Sequence, residues 1–292
     1  MYGQATAPAM ADLAAALGVA IHDPSPPRAI GYRRAGCCLR GYDWGGTGPP
    51  VLMLHGGGLT AHTWDFVCLG LRDAVRSIAL DLRGHGDSDW SDDYRIDAMA
   101  ADVVAAADHL RLDRFGLVGM SLGGVVAARV AENRPDRVER LALIDVAPGV
   151  DFESTRRMRE FIAGLAPVRD LETVVQAALR VNPRAHRATV AYRVSTLFRP
   201  APPGFWAPKA DPAPPRFPAI LAAMDRLPVQ LTGTQVLLIR GGRSKVLTHA
   251  AAARLVEQLP AGKLVMIANA GHNVQEDNPA ALVTALRPFL TR

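Results

Sequence analysis

The amino-acid sequence predicts an α/β fold: a mostly parallel central sheet with helices on both faces, interrupted by an inserted, mainly helical segment. Three observations predict it. Short, continuously apolar runs at residues 51–54, 75–80, 115–118 and 141–144 alternate with stretches of helical length and composition at 96–110 and 122–131. Strands apolar on both faces belong in a parallel sheet covered by helices. The alternation stops after Asp145 and resumes at 236–239 and 264–267, leaving about 80 residues inserted between two strands.

Each segment follows in order. Residues 1–27 predict a short helix over 10–17 and a turn at Asp23-Pro24-Ser25-Pro26-Pro27, an appendage on the surface. Residues 28–44 are short and broken by glycine, as in an antiparallel hairpin, and open the first part of the core, 28–149. The insertion, 150–230, holds helical stretches at 155–165 and 171–179. Residues 200–218 then carry eight prolines and predict loop, because proline lacks an amide donor and disfavours the helical region before it. Residues 231–292 complete the core. Their last helix starts with Asn278 as N-cap and Pro279 at its first position, with Leu282, Leu286 and Phe289 as its buried stripe.

Composition excludes several classes. The chain is 49% apolar and 21% charged, which suits a globular protein and not a disordered one. Its 33 Lys and Arg against 28 Asp and Glu give +5, but the arginines are scattered, so no nucleic-acid partner is expected. Cys37, Cys38 and Cys68 are odd in number and lack zinc spacing, which predicts free thiols and a cytoplasmic protein without metal. No basic region precedes the apolar stretch near the N-terminus, and no run reaches the roughly 18 apolar residues of a membrane span. No dinucleotide or phosphate-binding glycine loop appears, so no cofactor is expected.

The chemistry concentrates in three places. Gly119-Met120-Ser121-Leu122-Gly123-Gly124 follows an apolar strand and opens a helix, the context of a nucleophile elbow around Ser121. A serine hydroxyl needs a base at neutral pH, and His272, just past the last strand, is the best-placed histidine. His55 and His85 read as loop-shaping residues, and His22, His62, His109 and His186 as surface or packing residues. His55-Gly56-Gly57-Gly58 ends an early strand; the amides of Gly57 and Leu122 are the candidate oxyanion hole.

These blocks, with Asp81-Leu82-Arg83-Gly84-His85-Gly86-Asp87-Ser88 and Gly271-His272, resemble the α/β-hydrolase superfamily from about residue 40 to the end. The insertion begins directly after the strand that ends at Asp145, which predicts that 150–230 is a cap or lid over Ser121, with Trp206 near its entrance. The resemblance implies a triad acid a few residues after the strand at 236–239, where this chain carries Ser244 instead. The alternative is Asp145, at the end of the strand before the insertion, as in an esterase subgroup that moves its acid there; Glu257 is poorly placed. The expected activity is hydrolysis of small carboxylic esters through Ser121, His272 and Asp145. Carbon–carbon hydrolysis of dienone acids and slow-turnover ligand sensing are the alternatives.

Overall fold

The computed structural model describes residues 7–150, 160, 164, 166–181, 183, 185–212, 223, 234–259 and 261–291. Helix α1 (Ala7–Ala16) leads to the hairpin β1 (Arg28–Arg34) and β2 (Cys37–Asp43). Its two-residue turn, Ala35 and Gly36, has φ of 47° and 83°, the left-handed pair that a tight hairpin requires. Then come β3 (Pro50–Leu54), a 3₁₀ turn (Ala61–Trp64), α2 (Asp65–Leu71), β4 (Arg76–Asp81), α3 (Ile96–His109), β5 (Phe115–Met120), α4 (Leu122–Asn133) and β6 (Val138–Ile144). The inserted segment contributes α5 (Leu171–Val181), α6 (Arg187–Leu197), β7 (Phe198–Ala201) and β8 (Phe205–Pro208). The chain returns through β9 (Gln235–Gly241), α7 (His249–Glu257), β10 (Lys263–Ile267), α8 (Val274–Asp277) and α9 (Pro279–Leu290).

Eight strands form one sheet in the order β1-β2-β4-β3-β5-β6-β9-β10. The hairpin joins antiparallel to β4, and every later pairing is parallel. All six residues of β5 are buried, which accounts for its unbroken apolar run. Alternate side chains serve opposite faces. Leu52, Leu54, Leu117 and Leu143 pack with α3, α4 and α7, while Val51, Met53, Val118 and Ile144 pack with α1, α2 and α9.

Three expectations change. The N-terminal segment is tied into the body: Met10, Ala14 and Val19 are buried. A Cβ on Gly70 would lie 2.9 Å from Val19, so the bare glycine lets that segment seat against α2. Residues 198–208 are not all loop; β7 and β8 pair antiparallel, with Pro200 opposite Trp206. Trp206 spends both its backbone groups on Val168 on the other side, so Pro200 opposite it loses no ladder bond for want of an N–H. Helix α6 was not predicted, because β-branched Thr189, Val190, Val194 and Thr196 read as strand formers. The helix predicted over 155–165 lies outside the described residues, Glu160 and Gly164 apart.

The C-terminal helix begins as predicted. The Asn278 side chain accepts from Ala281 N–H at 3.1 Å, and Pro279 occupies the first turn. Leu282, Leu286 and Leu290 form its buried stripe, with Phe289 only partly covered. The inserted segment packs a small core of its own from Leu171, Val175, Val190, Val194 and Phe198, with Trp206 against its edge.

Candidate active site

Ser121 sits between β5 and α4 with φ 52° and ψ −117°, a strained conformation for a residue with a side chain. The surrounding glycines make this turn possible. A Cβ on Gly119 would lie 2.3 Å from Gly123 O, and one on Gly123 would lie 2.2 Å from Leu54 O. Backbone therefore meets backbone on both sides of the serine, which lifts its half-buried side chain off the strand end at the N-terminus of α4.

The amide of Leu122 is in the first turn of α4, where no intrahelical acceptor exists. Gly57 is exposed at the opposite loop. Among the described residues, neither amide donates to a protein acceptor. His55 fixes the first of these loops. Leu82 N–H donates to its Nε2 at 3.1 Å, so the ring proton is on Nδ1, which donates to Gly56 O at 2.8 Å. With the Gly56 carbonyl turned toward the ring, the planar trans peptide turns the Gly57 N–H the other way. Burial pushes the His55 pKa down to about 4, so this bond is made by a neutral ring at neutral pH.

Asp145 follows β6, is fully buried and has φ 51°. Its Oδ1 accepts from Gly241 N–H at 3.0 Å. Its Oδ2 accepts from Ser244 Oγ at 2.5 Å and from His272 Nδ1 at 2.8 Å. Ser244 is itself oriented by amides of Val246 and Leu247, 3.2 and 3.3 Å away. The carboxylate thus reaches His272 from one strand end while the hydroxyl from the next strand end braces it. A carboxylate can only accept, so His272 carries a proton on Nδ1, and Nε2 is the nitrogen that the neutral ring leaves free to act as a base. The approach requires Gly241, where a Cβ would lie 2.0 Å from Gly271 O.

The structure brings Asp145 and His272 into direct contact and places Ser121, Gly57 and Leu122 at neighbouring strand ends of the same sheet. Among the described residues no hydrogen bond joins Ser121 Oγ to His272; such bonds are commonly long before substrate arrives. The block from Asp81 to Ser88 is architectural. Asp81 accepts from Ala61 and Asp87 amides at 2.7 and 2.9 Å, and buried Arg83 pairs with Asp102 at 2.6 Å. His85 donates toward Arg83 O, and burial together with His55 beside it pushes its pKa down to about 4. Trp206 exchanges backbone hydrogen bonds with Val168.

Sequence reasoning missed one cluster. His62 Nδ1 lies 2.8 Å from Asp65 Oδ2, which also accepts from Tyr192 OH of the inserted helix α6. Arg193, the next residue, pairs with Glu276 at 2.6 Å. The three-residue spacing of His62 and Asp65 was a readable local signal; the partners from α6, more than 80 residues away from either carboxylate, gave none.

The parallel sheet, the strained serine elbow and the carboxylate–histidine pair define a hydrolase of the α/β type. The chain belongs to the alpha/beta hydrolase fold family, whose model matches residues 49–279. It is 33% identical to the esterase Rv0045c of Mycobacterium tuberculosis, over 85% of this chain and 84% of that protein. It is 29% identical to the esterase YbfF of Escherichia coli, over 82% of this chain and 92% of the other. A crystal structure of the M. tuberculosis esterase superimposes with a TM-score of 0.80 at 27% identity, covering 99% of this chain and all of that one.

Proposed function

We propose that this protein hydrolyses small carboxylic esters by an acyl-enzyme mechanism with Ser121 as nucleophile, His272 as general base and acid, and Asp145 as the acid that orients it. Family membership and the esterase relatives make it a carboxylic ester hydrolase; the observation that carries the residue roles is the Asp145–His272 contact of 2.8 Å beside the Ser121 elbow. His272 Nε2 takes the Ser121 proton as Oγ attacks the ester carbonyl. The alkoxide of the tetrahedral intermediate accepts from the amides of Gly57 and Leu122, an interaction whose single donors typically contribute roughly 10²–10³ in rate. His272 then protonates the leaving alcohol, and the same residues activate water to release the acid.

The insertion is the cap of this site. Its helix α6 is fastened to the core beside the loops that follow Gly57 and His272, through Tyr192–Asp65 and Arg193–Glu276. Free Cys37, Cys38 and Cys68 suit a reducing, cytoplasmic setting. No described helix is long and apolar enough to cross a membrane.

The test is chemical. A fluorophosphonate should label one serine, and Ser121→Ala should abolish the labelling and lower turnover of p-nitrophenyl butyrate by at least about 10⁴-fold at unchanged Tm. Labelling at another serine, or an active alanine variant, overturns the assignment.

A further inference from the structure

A narrow cleft runs between α6 and the core. Neither Ser121 nor His272 lines it, but the chain leads directly from the site to its walls. Thr60 is three residues beyond Gly57 and Gln275 is three beyond His272, so each lies within about 11 Å of the site along the backbone. One wall is apolar, built from Leu59, Phe66 and Leu197.

The remaining walls carry unmatched polar atoms. Thr60, Thr189 and Gln275 are 3%, 8% and 1% exposed, yet Thr60 Oγ1, Thr189 Oγ1 and Gln275 Oε1 find no partner among the described residues. The Gln275 orientation follows from its neighbours. Glu276 accepts from Arg193 at 2.6 Å and from Thr63 Oγ1 at 2.9 Å. The only Thr63 proton is therefore used, and Gln275 must donate its Nε2 to Thr63, at 3.0 Å. That leaves Gln275 Oε1 as an obligate acceptor. Thr189 lies in a helix, where a hydroxyl can usually bond back to the preceding turn, and here it does not. Three buried orphans in one cleft constitute an incomplete hydrogen-bonding set rather than a packing defect.

The missing partner must donate at least one hydrogen bond and carry no charge. The ionisable groups at the cleft are already paired: Arg193 with Glu276, and His62 with Asp65. We propose that this cleft binds an uncharged hydroxyl or amide group of the substrate, making the enzyme selective for esters that bear such a group over their alkyl counterparts. The proposal rests on the esterase reading above and deepens it to a substrate class. It is a specificity device, because a site built to satisfy buried polar atoms discriminates against an analogue that leaves them unpaired.

Matched esters test it on both sides of the scissile bond. Ethyl butanoate is compared with ethyl 3-hydroxybutanoate and ethyl N-acetylglycinate, and propyl acetate with 2-hydroxyethyl acetate, by proton release. In at least one series the polar ester should exceed its alkyl counterpart in kcat/KM by about tenfold or more. That ratio should fall below about threefold in Thr60→Val, Thr189→Val and Gln275→Met, three separate near-isosteric variants, so misfolding of one leaves two. A ratio near one in both wild-type series means that solvent alone satisfies the three atoms and overturns the proposal. A ratio retained in the folded variants overturns it equally. Either result, with alkyl esters still turned over, leaves the esterase reading standing; no turnover of any ester overturns both.

Discussion

Asp145 and Asp65 are both buried, and each accepts from a histidine Nδ1 at 2.8 Å, yet they sit in unlike settings. Asp145 is held by groups on other strand ends and loops: the Gly241 amide, Ser244 and His272, all arriving from the far half of the chain. Asp65 takes a local histidine three residues earlier and Tyr192 from α6, and its Oδ1 has no partner among the described residues. Burial lowers the His62 pKa, but the adjacent Asp65, with Asp81 behind it, holds it above the ordinary value, and the pair fastens α6 to the core through Tyr192. A carboxylate–histidine contact is therefore not diagnostic of catalysis by itself. Its position relative to a strained nucleophile gives it meaning.

Neutralising each carboxylate is the strongest way to break this comparison. Asp145→Asn should lower turnover by about 10⁴-fold, since an amide can present the wrong imidazole tautomer and no longer stabilises the imidazolium. Asp65→Asn should change turnover less than tenfold and instead lower stability by about 1–3 kcal/mol, by removing the carboxylate oxygen that His62 and Tyr192 share. Denaturant melts beside kinetic assays separate the two; equal losses of turnover would erase the distinction.

Gly241→Ala sharpens the Asp145 side. A new Cβ 2.0 Å from Gly271 O must push the loop bearing His272 away, and a misplacement near 1 Å costs on the order of 10² in kcat. An alanine variant with wild-type kcat would show that the strand ends need not approach so closely. Ser244→Ala should have a smaller effect, about tenfold, because the Gly241 amide and His272 still hold the carboxylate. In the Asp145→Asn background, Ser244→Asp should restore part of the activity if the neighbouring strand end can also reach His272.

The last effect concerns pH and stability. His55 and His85 have folded pKa values of about 4 against an ordinary 6.5, and their rings are 5.0 Å apart. Between those limits the unfolded chain binds protons that the folded one refuses, so their stabilisation is present above pH 6.5 and lost as pH falls. From pH 7 to 5 this is on the order of 2 kcal/mol for each. His62 works with the opposite sign, since its raised pKa favours the fold at lower pH. His85→Asn should flatten the acid side of a Tm–pH profile; an unchanged slope would assign it to other groups.

The sequence by itself determined the alternating strands and helices, the elbow around Ser121, the glycine loop at Gly57 and the position of His272, because these depend on residues near one another. A turn that forces φ to 52° needs glycines within a few positions, and a parallel strand needs four or five consecutive apolar residues. The absence of a carboxylate at Ser244 even directed attention to Asp145. Only the tertiary structure decided that Ser244 donates to Asp145 across 99 residues, that Tyr192 reaches Asp65 across 127, and that Thr60, Thr189 and Gln275 meet in one cleft. Such contacts join side chains on separate elements, and their geometry depends on how the sheet orders its strands and how α6 docks. No local propensity encodes either, since a threonine in a helix reads the same whether its hydroxyl faces solvent or lies buried without a partner.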